Sequence, residues 1–143
     1  MKNILIVTGG AGFVGSNLIK HLIIKTKFKI ISLDDYSSGS KNNHIKDKKV
    51  TYIKCHTKDI YKTCYKFRKK IKTIFHFGEF ARIYQSFLQM NKCIQSNTIG
   101  SNAVFDFCLK YNIKLIYSAT SASLGNRGKD KNLSPYAFTK AKN

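Results

Sequence analysis

The chain has 143 residues, enough for one domain with a real core, and 43% of them are hydrophobic, which excludes a disordered chain. No apolar run is long enough to span a bilayer, and the four cysteines make no Cys-x-x-Cys pair and no metal-ligand spacing with the four histidines, so the reading is a cytoplasmic protein with reduced thiols, no metal and no membrane partner. The net charge of +19 comes from 23 lysines against 3 arginines, with Glu79 the one glutamate; lysine is spread over the whole chain alongside 11 asparagines and 17 isoleucines, which reads as a drift of composition rather than a specific nucleic-acid surface. Weak, salt-sensitive adhesion to polyanions follows from the charge alone.

Met1-Lys2 followed by Ile4 to Val7 superficially resembles a signal peptide, but the apolar stretch stops after four residues, so it reads as a first strand. Thr8-Gly9-Gly10-Ala11-Gly12-Phe13-Val14-Gly15 follows, and an amphipathic helix is predicted from Phe13 to Ile24. Glycines at 9, 12 and 15 let the chain turn tightly, approach a diphosphate and pack helix on strand, with the first N–H groups of the helix facing the phosphates. A glycine triplet also makes ordinary turns, so the rest of the chain has to decide.

Phe28 to Leu33 is predicted as a second strand ending at Asp34-Asp35. Asp34 lies 19 residues after Gly15, where an acidic side chain bonds the ribose hydroxyls of adenosine and repels a 2′-phosphate. A plain strand-end aspartate is the alternative. Tyr36 to Asn43 is a polar turn-rich loop, Val50 to Lys54 a third strand, and Tyr61 to Lys70 a lysine-rich helix whose basic end is solvated. Thr73 to Gly78 is predicted as a fourth strand, with His76 read as a core histidine rather than a catalytic one. Between Glu79 and Met90 apolar residues recur at helical spacing after a start that reads as loop. Met90 to Tyr111 is a long helix interrupted at Asn97 and Gly100. Lys114 to Ser118 is a fifth strand, followed by hydroxyl-bearing residues to Ser123. Ser134 and Pro135 open a last helix as cap and first residue. Strands alternating with helices give an α/β doubly wound parallel sheet, a Rossmann fold over residues 1–143.

Tyr136 and Lys140 are four apart, on one helix face, and Thr120 lies at the end of the fifth strand. Ligands in such sheets sit beyond the carboxyl ends of the strands. A phenol, an ammonium and a hydroxyl can therefore converge beside a nucleotide, and an ammonium next to a phenol favours phenolate, the form that serves as a general base. Tyr-x-x-x-Lys alone is common by chance; its place after five strands is what gives it weight.

These segments together resemble the extended short-chain dehydrogenase/reductases, specifically the NAD-dependent epimerase/dehydratase family acting on nucleotide sugars. The matching stretches run from Thr8–Gly15 through Leu33–Gly39, Asp59-Ile60, Ile74–Phe77, Asn97–Gly100 and Ile116–Gly125 to Ser134–Lys140. The resemblance implies that Gly9, Gly12, Phe13, Val14 and Gly15 hold the diphosphate of NAD, that Asp34 holds the adenosine ribose, and that Asp59 and Ile60 flank the adenine. Phe77 and Asn97 would order the cofactor side. Thr120 would bond the substrate hydroxyl being oxidised and Tyr136 would take its proton. Lys140 would bond the nicotinamide ribose and tune Tyr136. In the epimerases the keto-sugar then turns in the site and is reduced on its other face.

The 4,6-dehydratases carry an acidic pair directly after the strand-end threonine; here Ser121 and Ala122 stand there, which favours an epimerase. Gly78-Glu79 departs from small uncharged residues, Leu124 from a frequent tyrosine, and 126–133 is short for the family. The family pattern also continues well past Lys140, so the chain is expected to be an N-terminal part, truncated before the substrate domain. In the complete protein a nucleotide sugar would be the substrate and a homodimer would form. The alternatives are an NAD-binding module without turnover, a dehydratase or reductase of the same family, and a charge-driven nucleic-acid binder.

Overall fold

The structure, a computed structural model, describes residues 2–121 and 133–142. Its organising strand is β1, Ile4–Thr8, buried along its whole length. A strand covered on both faces needs an unbroken apolar run, which Ile4-Leu5-Ile6-Val7 supplies. It pairs in parallel with β2 (Lys29–Asp34) on one side and β4 (Ile71–His76) on the other. The strands β3 (Val50–Lys54) and β5 (Lys114–Tyr117) extend the sheet outward, giving the order β3-β2-β1-β4-β5 with every pairing parallel.

Two apolar clusters fill the two faces. Ile6, Ile31, Leu33 and Ile74 pack against Ile60 and Cys64 of α2 (Ile60–Cys64) and Val104 and Phe107 of α5 (Ser101–Lys110). On the opposite face Val7 and Ile30 pack against Ile19 of α1 (Phe13–Lys25). The expected doubly wound parallel sheet is therefore the observed one.

Three elements differ from the sequence reading. The helix expected over 61–70 stops at Cys64 and closes with a 3-10 turn at Tyr65–Phe67, where Arg68 Nη1 donates to the Tyr65 carbonyl at 2.9 Å. The fourth strand begins and ends two residues earlier than expected, because Ile71 is fully buried opposite Ile4 and Gly78 lies past the strand. The stretch from Glu79 forms only α3 (Ile83–Leu88). The long helix does run from 90, as α4 (Met90–Ile94) into α5. The interruption expected at Asn97 and Gly100 is a π-helical segment, Gln95–Gly100, the kind of bulge that re-aims side chains within a helix.

The last helix, α6 (Pro135–Ala141), opens as predicted: Ser134 Oγ accepts the Ala137 N–H at 3.0 Å and Pro135 occupies the first turn. It packs on α3, α4 and the π segment. All four cysteines are buried and free; burial pushes Cys64 up to about 12 and Cys108 up to about 11, so both stay protonated thiols. Among the described residues no helix is long and apolar enough to cross a membrane, and no three His, Cys, Asp or Glu side chains converge as metal ligands.

Candidate functional site

A cavity of about 360 Å³ opens at the carboxyl ends of the strands, with walls from the ends of all five strands and from α6. Its floor lies at β1, where the strand order turns from leftward to rightward, the place such sheets bind ligands.

The glycine turn forms that floor. Gly9 has φ +68, and a Cβ on it would lie 2.8 Å from the Gly78 nitrogen. A Cβ on Gly15 would lie 2.2 Å from the Gly9 carbonyl oxygen, so α1 leans on the turn with no room for a side chain. At Gly12, which caps α1, a Cβ would meet only the Gly9 oxygen, at 3.3 Å. No side chain caps α1 and no acid occupies its first turn. A helix start leaves its first N–H groups without intrahelical partners. Phe13, Val14 and Gly15, which carry them, line the cavity.

At the end of β2, Asp34 is fixed by its own neighbourhood. Oδ2 accepts the Ala11 N–H at 2.9 Å and Oδ1 accepts the Tyr36 N–H at 2.8 Å. Tyr36 adopts a left-handed backbone, φ 62, at the bend that brings its N–H back. The carboxylate thus reaches the cavity with its orientation set. Beyond it, the end of β3 contributes Cys55, His56 and Thr57. Asp59 and Ile60, expected at this end, do not line it. Asp59 is exposed, and Ile60 is fully buried in the core under β2 and β4, because the chain leaves β3 through a 3-10 turn (Thr57–Asp59) that puts them one step too far. His56 caps that turn, its Nδ1 accepting the Lys58 N–H at 3.1 Å.

The other end of the cavity is built by side chains from distant segments. Phe77, Gly78 and Glu79 line it from β4, and Ser118 and Ala119 from β5. Asn97 is fully buried behind this wall. Its Oδ1 accepts the Phe80 N–H at 2.6 Å, and its Nδ2 donates to the Phe80 carbonyl at 3.0 Å and to Thr139 Oγ1 at 3.2 Å. The π segment thereby ties the loop after β4 to α6. The Tyr136 N–H donates to Ser86 Oγ at 3.2 Å, which fixes the start of α6 on α3.

Tyr136 and Lys140 both line the cavity from α6. Lys140 forms a buried ion pair with Glu79, donates to the Ser118 carbonyl at 2.7 Å, and stands 4.2 Å from the centre of the Tyr117 ring. Burial works against its charge, but the Glu79 carboxylate and Tyr117 outweigh it and hold its pKa above the ordinary lysine value. Behind the pair, Ser101 Oγ donates to Glu79 Oε1 at 2.6 Å, and His76 Nε2 lies 2.9 Å from Ser101 Oγ. His76 is fully buried, as read from the sequence, and bonds Thr8 Oγ1 at 2.7 Å through Nδ1. Burial, with help from the Lys140 charge, pushes its pKa down to about 3.

Thr120 follows Ala119 outside the cavity lining, and Ser121 comes next. Ala122, Leu124, Gly125 and 126–132 lie outside the described residues. Sequence reasoning noted Glu79 as out of pattern but missed its pairing with Lys140, along with the wall made by His56 and Thr57. The one local signal for the former was a lone glutamate placed just after the glycine that follows β4.

The model of the NAD dependent epimerase/dehydratase family matches residues 5–142. An uncharacterised protein of Methanocaldococcus jannaschii is 31% identical over 99% of this chain and 49% of its own length. A dTDP-D-glucose 4,6-dehydratase of Dictyostelium discoideum is 33% identical over 85% of this chain and 30% of its own. Among solved structures, UDP-glucose 4-epimerase of Thermotoga maritima with UDP-glucose superposes with a TM-score of 0.85 at 26% identity, over 97% of this chain and 48% of that one. UDP-N-acetylglucosamine 4-epimerase of Methanobrevibacter ruminantium in complex with UDP-N-acetylmuramic acid gives 0.82 at 31%, over 99% and 48%. The chain thus spans about half the length of these relatives or less. With a glycine turn, a strand-end carboxylate and a Tyr-x-x-x-Lys helix around one cavity, and a family match over nearly its whole length, the chain belongs to the NAD dependent epimerase/dehydratase family.

Proposed function

We propose that this chain is the NAD-binding domain of a nucleotide-sugar epimerase. The observation that carries the reading is that Gly9, Gly12, Asp34, Tyr136 and Lys140, from three separate segments, line one cavity. The cavity fits a dinucleotide. The open side of Gly12 leaves room at the helix start for a diphosphate, and the oriented Asp34 carboxylate offers acceptors for ribose hydroxyls. His56 and Thr57 would then hold the adenine, and Phe77, Glu79 and α6 the nicotinamide.

When bound, NAD supplies the acceptor and donor of hydride at the sugar carbon. The chain's own residues handle the proton and the geometry. The Tyr136 oxygen takes the proton of the sugar hydroxyl and later returns it, so no proton leaves the site over a cycle. Thr120, one residue past Ala119 of the lining, would orient that hydroxyl by reaching back toward the cavity. Lys140, held by Glu79, the Ser118 carbonyl and Tyr117, would reach the nicotinamide ribose from the cavity wall. Asn97 acts through others, holding Phe80 and α6 in register. Ser121 brings no acid beside Thr120, which supports epimerisation over the dehydration named for the Dictyostelium relative.

The Lys140–Glu79 pair favours a second reading, a module that binds NAD without turnover, because it engages the lysine that the chemistry needs. An assay of the complete protein with UDP-hexoses separates the two. Epimerisation that falls by about 10²–10⁴-fold in Tyr136→Phe, with NAD affinity nearly unchanged, supports the enzyme. Turnover undiminished by that substitution removes Tyr136 as the base. NAD binding with no turnover in the wild-type protein supports the module.

A further inference from the structure

Glu79 is the one glutamate of the chain, and its side chain is only 5% exposed. Among the described residues three groups donate to it. Ser101 Oγ reaches Oε1 at 2.6 Å, Tyr117 OH reaches the same oxygen at 3.1 Å, and the Lys140 ammonium holds Oε2. The bonds behind Ser101 have a fixed direction. Thr8 Oγ1 accepts the N–H groups of Phe77 and Gly78, so its own proton goes to His76 Nδ1. The His76 proton therefore sits on Nε2 and donates to Ser101 Oγ, which passes its proton on to Glu79. A chain of donors running inward from the glycine turn ends on this carboxylate. That is a built site for a negative charge, on the cavity wall it shares with Tyr136 and Lys140.

A carboxylate there changes the electrostatics of this end of the cavity. Lys140 alone would place an unmatched positive charge on the wall. Glu79 pairs that charge and sets a carboxylate beside the ammonium. The oxidised nicotinamide ring is a cation and the reduced ring is neutral, so wall charge acts on one form and not the other, and acts strongly where water is scarce. Resting on the placement of the nicotinamide at this end, we infer that Glu79 is the residue that sets the balance of the two cofactor forms, holding the oxidised one more tightly than a bare lysine would allow.

The test is the ratio of dissociation constants, Kd(NAD⁺)/Kd(NADH), measured on the purified protein by calorimetry and by NADH fluorescence. Glu79→Gln removes the charge and keeps the shape, and raises the ratio about tenfold, equal to about 30 mV for a two-electron couple. Glu79→Asp keeps the charge and leaves the ratio within about threefold of wild type. Lys140→Met leaves the carboxylate without its cation and moves the ratio the other way, which keeps the test alive if Glu79→Gln does not fold. A merely structural role, holding Lys140 in place, would weaken both forms alike. A ratio that stays put in the folded variants therefore overturns the inference. If the wild-type protein binds neither form, the cofactor reading itself fails and takes the Glu79 inference with it.

Discussion

The two ends of the cavity are built on opposite plans. At the glycine-turn end the cavity is lined by backbone and by the Asp34 and Asp35 carboxylates, and much of it is set by short turns. Asp34 is held by Tyr36 two residues on and by the glycine turn, and Gly15 leans on Gly9. At the α6 end the wall is a web of side chains from far apart. Glu79 meets Lys140 across 61 residues, His76 meets Ser101 across 25, and Asn97 meets Thr139 across 42. In the proposed function the first end would hold the adenosine, which takes no part in the chemistry, and the second would hold the nicotinamide, where charge changes.

That difference predicts how each end breaks. The largest effect is expected at the glycine turn. Gly15→Ala drives a methyl to within 2.2 Å of the Gly9 oxygen, a backbone atom that cannot step aside, and costs about 3 kcal/mol or more. Gly12→Ala meets the same oxygen at 3.3 Å, a contact that needs a shift of only a few tenths of an ångström, so it lowers the urea midpoint much less while narrowing the helix start. Denaturation curves of the two variants check the contrast; equal midpoints would contradict the geometry.

The web at the other end breaks by protonation. Burial, then the Lys140 charge, lower the His76 pKa from 6.5 to about 3. Between those values the unfolded chain binds more protons than the folded one. The histidine's contribution is therefore complete above about pH 6.5 and is lost as pH falls toward 3. At about 1.4 kcal/mol per unit, the loss amounts to a few kcal/mol. Urea midpoints taken from about pH 7 down to about pH 4 read it. The His76→Gln variant starts less stable and shows a shallower decline; a decline as steep as that of the wild type would place the acid sensitivity elsewhere.

The same division governs what the sequence disclosed. The five strands were legible because a parallel sheet needs apolar runs, and Ile4–Val7 and Phe28–Leu33 are such runs. Ser134-Pro135 declared a helix start because capping is local chemistry. The interruption at Asn97 and Gly100 was visible, but the π turn was not, since it exists to bring Asn97 to Phe80 and Thr139. The end of β3 went astray for a related reason. Asp59-Ile60 matched a motif in order and type, and only the 3-10 turn shows that His56 and Thr57 take the wall. Glu79 stood out as a residue of the wrong kind, yet its partners are nowhere near it in sequence.

Whether Asp34 and the glycine turn form the adenosine end of an NAD site is tested most directly by calorimetric titration with NAD and NADP. The folded wild-type protein is expected to bind NAD and to bind NADP at least about tenfold more weakly, a gap of ~1.4 kcal/mol. Asp34→Ala should close most of that gap by weakening NAD, since the lost carboxylate bonded the ribose of one and repelled the phosphate of the other. Equal losses for both cofactors in the variant, or no NAD binding by the folded wild-type protein, would contradict it.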